Sequence, residues 1–301
     1  MTSTFRGALV HTVVNGFPVP LGHAPPSTSA RDTSISHGRE LTLNHVGPHT
    51  TPSGTVYNTQ QTISTPGVYS NLIFNKGLII SASDVEIYDC YIGDDTTSHS
   101  ANLRLTGSNI SVHHCEIDNN EAVYYCVENT GGGSGANRNQ VYRNHIHSGG
   151  QGLSSAVGRY EFDENYVDNI VAPDPAPFPT DDVWHADGVI SWGEDEMYVR
   201  RNKILCSLDQ TGIINIGSWV GMPAHNVTGL TCDSNYFAGA GFIFYIEERG
   251  VQTVTGFTIT NNDIGQDFYS TGGFNGIWYG GAPPAVDPTT SGNRLVTALG
   301  A

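Results

Sequence analysis

The sequence predicts an all-β chain wound as a right-handed parallel β-helix, a solenoid of stacked coils. Three observations predict it. An eight-residue pattern recurs along the chain, a second series of apolar runs lies between its copies, and long amphipathic helical stretches are missing throughout. The clearest copy is 197–204, Met-Tyr-Val-Arg-Arg-Asn-Lys-Ile; others stand at 85–92, 110–117, 139–146, 160–167, 230–237 and 257–264, with a degenerate one at 293–295. The shared form is apolar, any, apolar, two mostly polar, Asn or Cys, any, apolar. Only the copy opening on Asn139 breaks the first position.

The apolar pair at period two marks a short strand with one buried face. The Asn or Cys marks a turn, because Asn tolerates left-handed geometry. The last apolar residue re-enters the core on a new strand. Successive Asn or Cys positions lie about 21 to about 37 residues apart, so loops of different length leave one corner. The second series includes 101–105, 122–127, 188–192, 212–216, 241–246 and 276–279. Several of these open on Gly, where a sharp corner is cheap. About eight to nine coils are expected from residue 66 to residue 301.

Residues 1–65 read differently. They are rich in Pro, Thr, Ser and His, with Asp32 and Glu40 the only acids. Such a segment makes a poor independent core, so it is expected to dock on a partner protein, a neighbouring subunit or the first coil. Residues 7–14 suggest a strand that Pro18 and Pro20 would end. Residues 54–57 and 61–64 suggest a hairpin capping the solenoid, whose open end would otherwise expose strand edges. The short finish at 293–301 suggests that the last coil is covered by something else.

The formal net charge of −16 over 301 residues argues against binding through phosphate neutralisation, so nucleic acid is not an expected partner. No run of about 18 apolar residues exists to span a membrane. The first residues lack the charged-then-apolar order of a secretory signal. The five cysteines make neither a spaced metal motif nor an even disulfide set. Cys90 and Cys115 occupy equivalent rungs, within disulfide reach, and are read as a ladder of buried thiols.

The longest insert, 170–188, precedes Trp184-His185-Ala186-Asp187-Gly188 and a strand. From 161 to 196 the chain carries eleven acids and no Lys or Arg; such crowding raises carboxylate pKa values or recruits a divalent cation, the one cofactor the sequence suggests. One reading makes Asp187 an acid or base, with Asp182 or Glu194 as second carboxylate and His185 as helper. The other has Asp187 capping the turn before Gly188 and His185 bonding a loop carbonyl.

If Val189, Phe242, Phe244 and Ile277 point inward, then Ile190, Trp192, Ile243, Tyr245, Glu247 and Trp278 point out. Together with Trp184, the residues Trp192, Tyr245, Glu247 and Trp278 would suit sugar rings, which stack on aromatics while carboxylates accept from hydroxyls. The same strip could be a subunit interface. His113, His114, His145 and His147 are placed at rung turns, as solvated side chains with no metal.

The His-Ala-Asp-Gly segment before a strand, among Asn-turn repeats, resembles the pectin-lyase-like right-handed β-helix superfamily. More narrowly it resembles the β-helix minor tail and tailspike proteins of actinobacteriophages. The repeats carry the resemblance from about residue 68 to 295, and the Thr- and Pro-rich start adds to it. In polygalacturonase-like relatives an Asn-Thr-Asp-Gly motif supplies a catalytic Asp; Asp187 falls in the similar place with His185 replacing the Asn. Their paired-Asp and Arg-x-Lys segments are missing. The resemblance implies a virion protein that recognises host cell-surface glycans, attaches to other tail proteins through residues 1–65, and assembles as a homotrimer. The alternatives are a polysaccharide hydrolase or lyase acting near Asp187, and a purely structural tail-tip block.

Overall fold

The computed structural model describes residues 11–14, 17–20, 35–93, 101–120, 125–132, 138–155, 159–170, 187–191, 196–207, 212–216, 227–246, 254–279 and 289–298. They form a right-handed parallel β-helix with three parallel sheets of nine, nine and ten strands among the described residues. One coil shows the path. Gln151–Ser155 lies in the first sheet, Tyr160–Asp163 in the second and Tyr166–Asp168 in the third; Asp187–Ser191 then returns to the first sheet. Each strand pairs in parallel with its equivalent one coil away.

Register lines up the core. Leu78, Leu103, Val127, Leu153, Val189, Ile214, Phe244 and Trp278 form one column of the first sheet. Phe74, Ile92, Ile117, Ile146, Val167, Ile204, Phe237 and Ile264 form the facing column of the third. All but Trp278 are buried. Each fully buried aliphatic or aromatic side chain contributes about 1.5–3 kcal/mol, so every coil adds its own increment.

The recurring Asn does stand in one column. The backbone N–H of Asn144, Asn165, Asn202 and Asn235 each donates to Oδ1 of the next Asn at 2.9–3.0 Å, and Asn262 does the same to Asn293 at 3.0 Å. Each Nδ2 also donates to the next Oδ1 and to a backbone carbonyl one coil back, as Asn202 does to Phe162 at 2.8 Å. Cys90 and Cys115 continue the column as buried free thiols, and Cys115 N–H donates to Asn144 Oδ1 at 2.9 Å. The left-handed residue is the one before the Asn: Arg143, Glu164, Arg201, Ser234 and Asn261 have φ of 54, 56, 51, 56 and 55°. The Asn itself faces inward. It is selected because its amide satisfies buried backbone groups at the corner, which a turn-favouring backbone alone would not require.

Asn139 breaks the pattern for the same reason. It is fully buried, accepts from Ile110 N–H at 3.0 Å and donates to Asn129 Oδ1 at 2.8 Å, bridging coils where its equivalents pack apolar side chains.

Two expectations for the front of the chain change. Val56–Tyr57 and Gln61–Ile63 are no hairpin: they pair in parallel with Ile73–Phe74 and Leu78–Ile80, and so are strands of the first coil. The hairpin lies earlier, where His11–Val14 pairs antiparallel with Phe17–Pro20. Pro18 and Pro20 are tolerated there because each strand of a two-stranded hairpin is an edge.

Residues 35–53 dock on the solenoid itself, running along the Asn corner against the direction of winding. His37 Nε2–H donates to Asn261 O at 2.9 Å, and Gly38 N–H to Ser234 O at 2.7 Å. Lys203 Nζ donates to Leu41 O at 3.3 Å, and Gly47 N–H to Arg143 O at 3.0 Å. His49 pairs with Asp89 at 2.7 Å, and Ser53 N–H donates to Asn71 Oδ1 at 2.8 Å. Ile35, Leu41 and Val46 form a small buried cluster against Tyr166. At the other end, a cavity of about 360 Å³ opens among Phe244, Ile264, Trp278 and Leu295.

Candidate functional site

The first sheet departs from simple alternation, and that departure decides what faces out. In Ala101–Leu105, Tyr125–Asn129, Gln151–Ser155 and Asp187–Ser191 the ladder skips the second residue. Second and third residues both turn inward: Cys126 with Val127, Ile213 with Ile214, Ile243 with Phe244 all join the core. First and fourth residues therefore share the outer face, as at a bulge. Asn215 and Asp187 confirm this by bonding each other from fourth and first positions of adjacent coils.

Asp187 is fully buried. Its Oδ2 accepts from Gln151 Nε2 of one neighbouring coil at 3.1 Å. Its Oδ1 accepts from Gly212 N–H and Asn215 Nδ2 of the other, both at 3.1 Å. Burial pushes its pKa up to about 7, against the lowering effect of the Gly212 and Asn215 donors. Tyr125 lies close enough that its own pKa rises to about 12, chiefly by burial and then by the charges of Glu128 and Asp187. Asp187 thus braces three coils, and its carboxyl is a group that can exchange a proton near neutral pH.

One coil further on, the same face becomes aromatic. Tyr245 pairs with Asn215 across the ladder. Its ring lies 4.2 Å from that of Tyr279, which meets Phe242 edge-on at 5.5 Å; Phe242 and Tyr245 are 6.2 Å apart. Gly212 is required beneath them, since a Cβ there would come within 2.6 Å of Tyr245 Cβ. Tyr279 is 39% exposed.

Of the residues singled out from sequence, Asp187 and Tyr245 stand on this face. Trp278 does not: it stacks on Phe244 at 4.6 Å at the end of the inward column, half-buried beside the cavity there. Ile243 is likewise inward, and Phe242 outward, because the ladder skip shifts the alternation by one. Ile190 keeps its outward register yet is buried. His185, Asp182, Glu194, Trp184, Trp192 and Glu247 lie outside the described residues. The sequence pattern does not mark Gln151 or Tyr279, and it places Phe242 inward. A polar residue inside the apolar run 212–216 is the signal that marks Asn215.

The first acids of the run, Glu161, Asp163 and Glu164, are paired across coils rather than along the chain. Arg138 meets Glu161 at 2.8 Å, Arg143 meets Glu164 at 2.5 Å, and Arg201 meets Asp163 at 2.7 Å. Arg200 adds a contact to Asp163 at 3.1 Å. Glu161, Asp163 and Glu164 therefore have guanidinium partners, while Asp174, Asp181, Asp182, Glu194 and Asp195 of the same stretch lie outside the described residues.

The histidines also differ from expectation. His113 stands on the strand Ile110–His113, stacked between Tyr88 and Tyr142. His145 and His147 stand on a strand of the third sheet, with both side chains outward and their rings 4.2 Å apart. Only His114 occupies a turn, where burial, and then the charges of His113, His49 and Arg143, lower its pKa to about 3.

No family model matches this chain, and neither the curated proteins nor the solved structures include a match to it.

Proposed function

We propose that this chain is a glycan-recognising β-helix that serves as a bacteriophage tail component, reading host cell-surface polysaccharide with the outer face of its first sheet. The observation that carries the reading is the grouping of Phe242, Tyr245 and Tyr279 next to Asn215. Aromatic rings offer a platform for the apolar face of a pyranose, and an amide at its edge suits the hydroxyls. The rigid solenoid supports this use, since a stacked face presents equivalent positions about 4.8 Å apart. Tail attachment through the N-terminal region and a homotrimeric state go with the resemblance and form part of the proposal.

The test is binding of purified bacterial cell-wall and capsular polysaccharides on an array, with Tyr279→Ala and Tyr245→Ala beside the wild type. Binding reduced about tenfold in both variants supports the reading, ~1.4 kcal/mol being close to the full worth of one stacking contact. Binding that both variants retain in full would remove the face from consideration.

A second reading, a polysaccharide hydrolase or lyase, is favoured by the raised pKa of Asp187. It requires turnover. New reducing or unsaturated ends released by the wild type and not by Asp187→Asn would support it. The complete burial of Asp187 and its three donors support the bracing role instead.

A further inference from the structure

We propose that Glu116, His145 and His147 form a binding site for a divalent transition-metal ion on the outer face of the third sheet. Residues two apart on a strand share a face, so His145 and His147 project side by side. Glu116 stands opposite His145 on the neighbouring strand. One donor atom from each of the three lies within 4.8 Å of the others. In a tetrahedral site with ligand bonds of about 2.0–2.1 Å, donors are separated by about 3.3 Å. Glu116 Oε1 and His147 Nε2 already stand 3.4 Å apart, close to that spacing.

The surroundings are those of a metal site. Asp168 Oδ1 contacts His145 Nε2 at 3.0 Å, and Asp118 Oδ1 lies 3.4 Å from His147 Nδ1. Ser148 Oγ holds the same Nδ1 at 2.9 Å. Carboxylate and hydroxyl partners of this kind orient imidazole ligands and add negative charge near the ion. All three ligands rise from paired strands, whose backbone fixes their spacing. Two imidazoles with one carboxylate suit Zn²⁺, Co²⁺, Ni²⁺ or Cu²⁺ better than Ca²⁺ or Mg²⁺, which favour all-oxygen sets. None of the three is fully buried, their side chains being 39%, 21% and 15% exposed in that order, so an ion would keep a position open to solvent.

The experiment titrates the full chain, stripped with chelator, with Co²⁺ followed by visible absorption and with Zn²⁺ followed by calorimetry. The expected result is one ion per chain, with a Co²⁺ band of tetrahedral intensity. Affinity should fall at least about tenfold in His147→Gln and in Glu116→Gln, and stay unchanged in His49→Gln. Circular dichroism of each variant checks folding, and Glu116→Gln preserves side-chain volume if a histidine variant misfolds. Absence of binding at millimolar metal, or binding that survives both His147→Gln and Glu116→Gln, overturns the proposal.

Discussion

Asn202 shows what one residue does in this fold. Its Oδ1 accepts from Asn165 N–H and Nδ2, while its Nδ2 donates to Phe162 O, all inside a fully buried corner. Leucine there would strand a backbone N–H and a carbonyl, each costing about 1–3 kcal/mol. Asn202→Leu is therefore expected to lose about 3 kcal/mol or more in chemical denaturation. Asn293, half-buried at the end of the column, should lose only about 1 kcal/mol on change to Ala. Equal losses at the two sites would refute the cooperative column.

Asp187 makes a prediction about pH. Its folded pKa of about 7 stands above its ordinary value of 3.8, so the folded state holds the proton more tightly. The associated stability is complete below about pH 4 and is lost as pH rises through 7, by at most about 1.4 kcal/mol per unit. Urea midpoints at pH 4 and pH 8 should therefore show wild type losing ground to Asp187→Asn at the higher pH. A constant difference would mean that Asp187 is ionised throughout.

At the scale of elements, the strap formed by residues 35–53 is sensitive at Gly38. A Cβ on Gly38 would stand 2.0 Å from Asn202 O, with no flexible side chain to yield. Gly38→Ala is expected to lift the strap and cost about 1–3 kcal/mol. Limited proteolysis should then cut within 35–53 while the coils resist; an unchanged digestion pattern would contradict the tight docking. The strap also shows what sequence patterning leaves out. Its lack of a core of its own was legible, but not its landing place, because single contacts from His37 and Lys203 to distant carbonyls leave no periodic trace. The partners of the acids at 161–164 were not legible for a related reason. In a solenoid the nearest charges in space come from the next coil, so Arg201 answers Asp163 from 38 residues away.

For the whole molecule, the repeat was the legible part, and the fold followed from it. The Asn and Cys positions marked one corner, and the apolar pairs marked the inward columns of the second sheet. The candidate site was legible only in part. Asp187 and Tyr245 were reached, but the doubled inward step in the first sheet exchanged Phe242 with Ile243 and turned Trp278 inward. That irregularity depends on ladder geometry, which strict period-two reading does not encode. Register therefore governs both the aromatic face and the histidine pair, and register rests on the Asn column. Backbone hydrogen exchange by NMR tests that column most directly. The amides of Asn144, Asn165, Asn202 and Asn235, each donating to a buried side-chain oxygen, should exchange among the slowest in the chain. Exchange as fast as that of the strap amides Gly38 and Gly47 would contradict it.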